Sequence, residues 1–463
     1  MRADHGNFNG GFDEAWSEDG EPRPHYAALL DAFGRQDLTL LNAALRYALR
    51  AEGVTFGDHE FEVCPVPRLL AADEAAQLEA GLAQRVRALN AFVIDAYGER
   101  RIADAGVIPG WVIDTAEGYE PALAGRWPAG VVPIGVAGLD LVRAPDGTFQ
   151  VLEDNLRMPS GIAYAVAAAR GLRAALPFEG PAHDDGADRL LPGLLRAVRE
   201  ARRGRDEPSI AVVADGASSA ARYEHEVAAR CLGAPLLRVD ELYTDGDRLL
   251  YCDARGAVQT IDVVYRRCDE DRLFGDDGEL TRLGGLLLGP WLAGEIAIVN
   301  GFGTGVGDDK LVHAYVEAMI GFYLGEEPLV RSVATLDLTR DENLRCLLDA
   351  PQEYVVKPRR GQGGAGVVVC AHAGDDDVRR CLQEVREEPD EFVAQPLVPL
   401  STAPTLIGDS LLPRHVDLRP FVFSGPGWTQ AVACGLTRVA WKEGALVVNS
   451  SQDGGGKVTW ALR

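Results

Sequence analysis

The sequence predicts a multidomain protein of mixed α+β and α/β class, with a doubly wound unit between a helix-rich start and a strand-rich C-terminal part. Three observations carry this. Helical periodicity dominates the first 130 residues, a strand–helix–strand run spans 208–242, and strand-length apolar or alternating segments recur from 353 onward. At 463 residues the chain exceeds what one core ordinarily supports. The boundaries are expected at 1–130, 131–180, 181–300 and 301–463.

The elements follow in order. LLNAALRYALRAEG (40–53) and ADEAAQLEAGLAQRVRALNAFVIDAYGE (72–99) carry apolar residues at three- and four-residue spacing, and glycine closes each helix. FEVCPVPRLL (61–70) is extended, because each proline pushes the residue before it out of the helical region. GVAGLDLVR (135–143) and TFQVLEDN (148–155) are strands joined by the turn APDG. An alanine-rich helix near 160–175 follows, and PFEGPAHDDGADR (177–189) reads as a linker. PSIAVVADG, the helix 218–233 and APLLRVDEL make the doubly wound unit, to which IDVVYRRCDEDR (261–272) adds a strand. The last part opens with the loop NGFGTGVGDDK (300–310) and a helix from Lys310. It continues through EYVVKP, a glycine loop, GVVVCA, FVAQPLVPLS, RHVDLRPFVF, TQAVACGLTRVA and ALVVNSS as strands.

Composition bounds the function. Hydrophobic content of 47% and charged content of 25% are those of a folded globular chain. A net charge of −24 argues against nucleic acid or an anionic membrane as the main partner, though it leaves room for a local basic pocket. The eight cysteines form no CxxC pair and read as reduced thiols, and His5, His25 and His59 are too dispersed for a metal site. No apolar leader and no run long enough to span a bilayer occurs, so a cytoplasmic location is expected.

Only four of the 46 basic residues are lysines, and three of these lie in glycine- or aspartate-rich motifs: Lys310, Lys357 and Lys457. Lysine is a compact, flexible point charge that reaches phosphate oxygens, so these three suggest a nucleotide triphosphate. Lys442 reads as a hairpin-turn residue.

VLEDNLRMPSG (151–161) is the sharpest motif. Strand alternation puts Glu153 and Asn155 on one face and Asp154 on the other, and the hairpin brings Asp140 near. Such hard oxygens suit Mg²⁺ carrying phosphates, with Arg157 in reach of a phosphate or carboxylate. The residues alone also fit a solvated strand end. VVKPRRGQGGAGVVV (355–369) brackets a loop whose backbone can close over phosphates, or equally a flexible hairpin. Asp308 and Asp309 are helix-capping residues, and Lys310 in the first turn opposes the helix dipole, which hints at an anion. His415, Asp417 and Arg419 share a strand face, Arg438 follows in GLTRVA, and Ser218 and Ser219 read as N-caps. Arg266 and Arg267 end a strand, where a carboxylate substrate or a salt-bridge cluster would serve.

Together these motifs resemble the ATP-grasp fold, with its magnesium motif placed before the lysine motifs instead of after them. FDEAW, VPRLL, the Glu-x-Asn motif, VVYRR, GTGVGDDK, VVKP with its glycine loop, AQPLVPLSTAPT, RHVDLRPFV, GLTRVA and NSSQDGGGK are similar to the circularly permuted ATP-grasp group, distantly related to the glutathionylspermidine synthase type. The resemblance implies a permuted ATP-grasp core with a pre-grasp-like α/β unit. It implies ATP held by Lys310, Lys357 and Lys457, covered by Gly361, Gly363, Gly364 and Gly366, with adenine read at Gln395. Mg²⁺ would sit on Asp140, Glu153 and Asn155, with Arg157, Arg419 and Arg438 as catalytic phosphate or acyl-phosphate contacts and Arg266 and Arg267 toward the substrate. Arg359 and Arg360 depart from the pattern and would add charge near the phosphates. The implied reaction joins a small-molecule or peptide carboxylate to an amine, by a chain that could form a homo-oligomer. A small-molecule kinase and a non-catalytic nucleotide-binding module are the alternatives.

Overall fold

The computed structural model describes residues 10–463 except 179, 203, 217–218, 269–271, 276, 362–364 and 446–453. Gly363, Gly364, Ser218 and most of ALVVNSS therefore lie outside the described residues.

The body is a nine-stranded mixed sheet. Its strands are β1 (Val63–Leu70), β2 (Val136–Arg143), β3 (Phe149–Asn155), β4 (His183–Asp184), β9 (Arg331–Ser332), β14 (Thr402–Ile407), β15 (Ser410–Gly425), β16 (Trp428–Ala440) and β17 (Gly454–Leu462). The path runs β9-β3-β2-β15-β16-β17-β1, with β14 on β15 and β4 on β17. Prolines 65 and 67 are tolerated in β1 because it is the last strand of that path. Helices α1 (Pro24–Gly34) and α2 (Leu38–Ala51) precede β1, and α3 (Ala72–Ala96) follows it.

Alternation divides the sheet. Ala137, Leu139, Leu141, Leu418 and Val422 join the core beneath α3, where Leu82, Val86, Leu89 and Phe92 are fully buried. Phe421, Phe423, Val432 and Trp460 face the other way, onto α4 (Ile162–Ala175) and α5 (Ala187–Arg199). The segment read as a linker is thus structural: β4 pairs with β17, Ala187 at the start of α5 is buried in that second core, and Phe178 packs against it.

Strands β5 (Ile210–Ala214), β6 (Leu236–Leu237), β7 (Val263–Arg267) and β8 (Ala297–Val299) form a parallel sheet in the order β8-β7-β5-β6, with α6 (Arg222–Leu232) and α7 (Arg282–Leu292) beside it. A smaller antiparallel sheet contains β10 (Leu336–Asp337), β11 (Tyr354–Pro358), β12 (Val368–Val369) and β13 (Phe392–Pro396), ordered β10-β13-β11-β12. Helices α8 (Asp341–Asp349) and α9 (Asp375–Glu387) back it, burying Val356 and Ala394 with Leu347, Val378 and Val385. Because neighbours on a strand point oppositely, Val355, Lys357 and Gln395 face away from those helices.

Candidate active site

Between the small sheet and the body lies a cleft of about 720 Å³. The β2–β3 hairpin builds one wall. Asp140 pairs with Glu153 and Gly138 with Asn155, but the next pair is Leu141 with Val151, so Leu152 is an extra residue on β3. That bulge matters: counted straight from the buried Val151, alternation would send Glu153 into the core. The bulge turns Leu152 and Glu153 both toward the cleft and Asp154 inward. There Arg85 Nε and Nη2 donate to the two Asp154 oxygens at 2.7 Å each, and His313 Nδ1 lies 2.7 Å from Oδ2.

On the cleft side, Asn155 Nδ2 donates to Asp140 Oδ1 at 3.2 Å. Arg419 contacts Asp140 and donates to Asp417 Oδ2 at 2.9 Å, and Arg438 Nη2 donates to the same oxygen at 2.9 Å. Burial raises the Asp140 pKa to about 7; repulsion from Glu153 and Asp417 adds to this, against the attraction of Arg419. Asp417 is likewise pushed up to about 6 by burial. Carboxylates crowded this closely have room for a cation's charge. Asp140, Glu153 and the Asn155 amide supply the hard oxygens Mg²⁺ prefers, so the donor set fits that ion. Among the described residues no group of three or more His, Cys, Asp or Glu side chains forms a metal site without an amide.

The lysines come from both walls, Lys310 from the body and Lys357 from the small sheet. Asp309 caps the short helix Lys310–His313, accepting from Leu311 N at 2.9 Å and Val312 N at 3.3 Å. Lys310 Nζ donates to Gly361 O at 2.9 Å and lies 3.6 Å from Glu153 Oε1. Lys357 projects from β11, where burial lowers its pKa while Glu153 and Asp140 oppose the shift. Asp308 accepts from Leu156 N at 2.6 Å and from Arg157 Nε at 2.8 Å, which fixes Arg157 at the cleft edge.

The structure therefore brings Asp140, Glu153, Asn155, Arg157, Lys310, Lys357, Gly361, Gln395, Arg419 and Arg438 to one cleft. It leaves others elsewhere. Lys457 is fully buried in β17, because its ammonium satisfies interior acceptors instead of facing the cleft. Gly366 lines a separate shallow pocket with Arg360, which pairs with Glu391. Arg359 turns away from the cleft to Asp309. Arg266 is packed over the Phe302 ring, and Arg267 Nη1 donates to Pro159 O, so both are buried behind the cleft wall. His415 is committed to Leu400 O at 3.1 Å. Among residues that sequence reasoning did not assign to the site, Asp417 and Asp308 line the cleft; the shared face of Asp417 and Arg419 was the available signal.

The family profile described as circularly permuted ATP-grasp type 2 matches residues 67–440. An uncharacterized protein of Mycobacterium leprae is 38% identical over 97% of this chain and 82% of its own length. One from Synechocystis is 38% identical over 99% of this chain and 98% of its own. A Frankia alni protein whose name proposes a glutamate–cysteine ligase is 41% identical over 98% of this chain, which spans about half (54%) of that protein. Among solved structures, the glutathione synthetase-like effector GSS30 of Globodera pallida, in its apo form, superposes with a TM-score of 0.57 at 12% identity, covering 92% of this chain and 98% of that one. That likeness concerns the fold alone.

Proposed function

The chain belongs to the circularly permuted ATP-grasp family, and on that premise we propose that it is an ATP-dependent carboxylate–amine ligase that works through an acyl phosphate. The observation that carries this reading is the gathering of two lysines, a carboxylate–carboxylate–amide set and paired arginines in one cleft. The Frankia name supports a ligase in general; its two amino acids are not carried over, because half of that protein lies outside the match.

The residues divide by chemistry. Val355, Val367 and Val369 from the small sheet oppose Leu152, Val398 and Leu400, leaving an apolar slot for a flat base beside the Gln395–Leu397 backbone. Lys310 and Lys357 would meet the phosphates from opposite walls. Asp140, Glu153 and Asn155 would hold Mg²⁺, which would supply positive charge to offset that of the phosphates. A substrate carboxylate oxygen then bonds to the γ-phosphorus as the bond to the bridging oxygen breaks, releasing ADP. The amine nitrogen attacks the acyl carbon, and phosphate leaves. Arg419 and Arg438, both anchored on Asp417, are the cations that would steady the transferring group.

A thermal-shift titration tests the reading. Mg-ADP and Mg-ATP should raise the wild-type midpoint, since a ligand that binds only the folded form stabilises it. Glu153→Ala should lose most of that rise. Absence of a rise in folded wild type would remove the nucleotide reading. Hydroxamate formation with hydroxylamine, on candidate acids, separates the ligase from a kinase, which forms no acyl phosphate.

A further inference from the structure

Arg359 belongs to the small sheet's side of the cleft, one residue past β11, and its backbone N donates to Glu391 O at 2.8 Å. Its side chain goes the other way, into the body. Nε donates to both Asp309 oxygens at 2.9 Å, Nη1 to Thr115 Oγ1 at 2.8 Å and Nη2 to Val112 O at 2.7 Å. The ion pair is dry: side-chain exposure is 1% for Arg359 and 0% for Asp309. Such burial is tolerable only when the guanidinium is fully paired, and these partners are available only while the two walls are together.

Its position along the chain gives the contact a consequence. Lys357 lies two residues before Arg359, and Lys310 lies directly after Asp309. We infer that Arg359 is a positioning residue: the Arg359–Asp309 clasp sets the separation of Lys310 and Lys357 across the cleft and holds the small sheet closed before nucleotide arrives. The inference rests on the nucleotide reading of the cleft. It also explains why Arg359 contributes no charge there, since Asp309 neutralises it. Pre-setting two phosphate contacts lowers the ordering cost of binding, so loss of the clasp should appear as lost nucleotide affinity.

Calorimetric Mg-ADP binding and amide hydrogen exchange, on wild type and three single variants, test it. Asp309→Asn keeps a side-chain oxygen to cap Leu311 and Val312 but removes the ion pair. Arg359→Lys keeps the charge but not the fork. Arg359→Ala and Asp309→Asn should each weaken Mg-ADP at least tenfold, and the double variant should be no weaker than the worse single one, because both remove one shared interaction. Arg359→Lys should fall between. Exchange should quicken together in 110–115 and 354–361, with α3 unchanged. Affinities within twofold of wild type, or quickened exchange on one side only, would overturn the clasp. If wild type binds no Mg-ADP, the nucleotide reading fails, and paired exchange still decides whether the clasp holds the two walls.

Discussion

Lys457 has three acceptors and no solvent. Its Nζ donates to Val66 O at 2.6 Å, Pro404 O at 2.8 Å and Cys64 Sγ at 3.1 Å, and burial lowers its pKa. Replacing it with methionine keeps the volume and orphans the acceptors. Lys457→Met should cost about 2–3 kcal/mol in stability and leave Mg-ADP affinity within twofold of wild type. Urea midpoints and calorimetry read the two quantities separately; weakened nucleotide binding without lost stability would return Lys457 to the cleft. In sequence, GGGK and DDK look alike as phosphate motifs, since spacing shows which residues accompany a lysine and not how deep it lies. Lys310 and Lys357 are at the cleft because one opens a capped helix and the other sits on the outward face of β11. Lys457 points inward from β17, toward acceptors on β1 and β14.

At the scale of the element, Glu153 and Asp154 are neighbours with opposite consequences. Glu153 faces the cleft with its side chain 33% exposed, whereas Asp154 is sealed against Arg85, which also donates to Ser332 Oγ at 2.8 Å. Asp154→Asn leaves a buried guanidinium and should cost about 3–5 kcal/mol. Glu153→Gln should leave stability within about 0.5 kcal/mol while abolishing ADP formation. Denaturant midpoints beside an ADP assay check both, and equal stability losses would contradict the opposed faces. Alternation made the shared face of Glu153 and Asn155 legible, as the APDG turn did for the hairpin. The bulge at Leu152 was not: no glycine marks it, and only the pairing of β2 against β3 decides which way the strand enters. The buried partners of Asp154 were equally hidden, because Arg85 and His313 come from helices distant in sequence.

For the whole molecule, the segment around FDEAW ties separate parts of the body together, a role its sequence does not display. Asp13 bridges Thr402, the first residue of β14, and Glu14 is fully buried where β1, β2 and the β13–β14 connection converge. Arg68 Nε donates to Glu14 Oε2 at 2.7 Å, Ser401 Oγ to Oε1 at 2.7 Å, and Arg143 Nε stands 3.6 Å from Oε1. Burial alone would raise the Glu14 pKa; Arg68 and Arg143, with hydrogen bonds from Arg68 and Ser401, outweigh it and bring the value from 4.5 to about 2. The folded state therefore binds this proton more weakly than the unfolded chain. Its contribution is fully present above pH 4.5 and is lost as pH falls through 2. A shift of this size corresponds to about 3 kcal/mol. Unfolding free energies of wild type and Glu14→Gln, measured from pH 7 downward, should differ by that order near neutrality and converge toward pH 2, with the variant giving the flatter profile. A difference that stays constant across this window would mean that Glu14 acts through packing and hydrogen bonds rather than charge. The segment would then be a shape-filling contact, and the acid sensitivity of the fold would have to arise from another carboxylate held low, such as Asp154 beside Arg85, since the raised cleft carboxylates gain stability as pH falls.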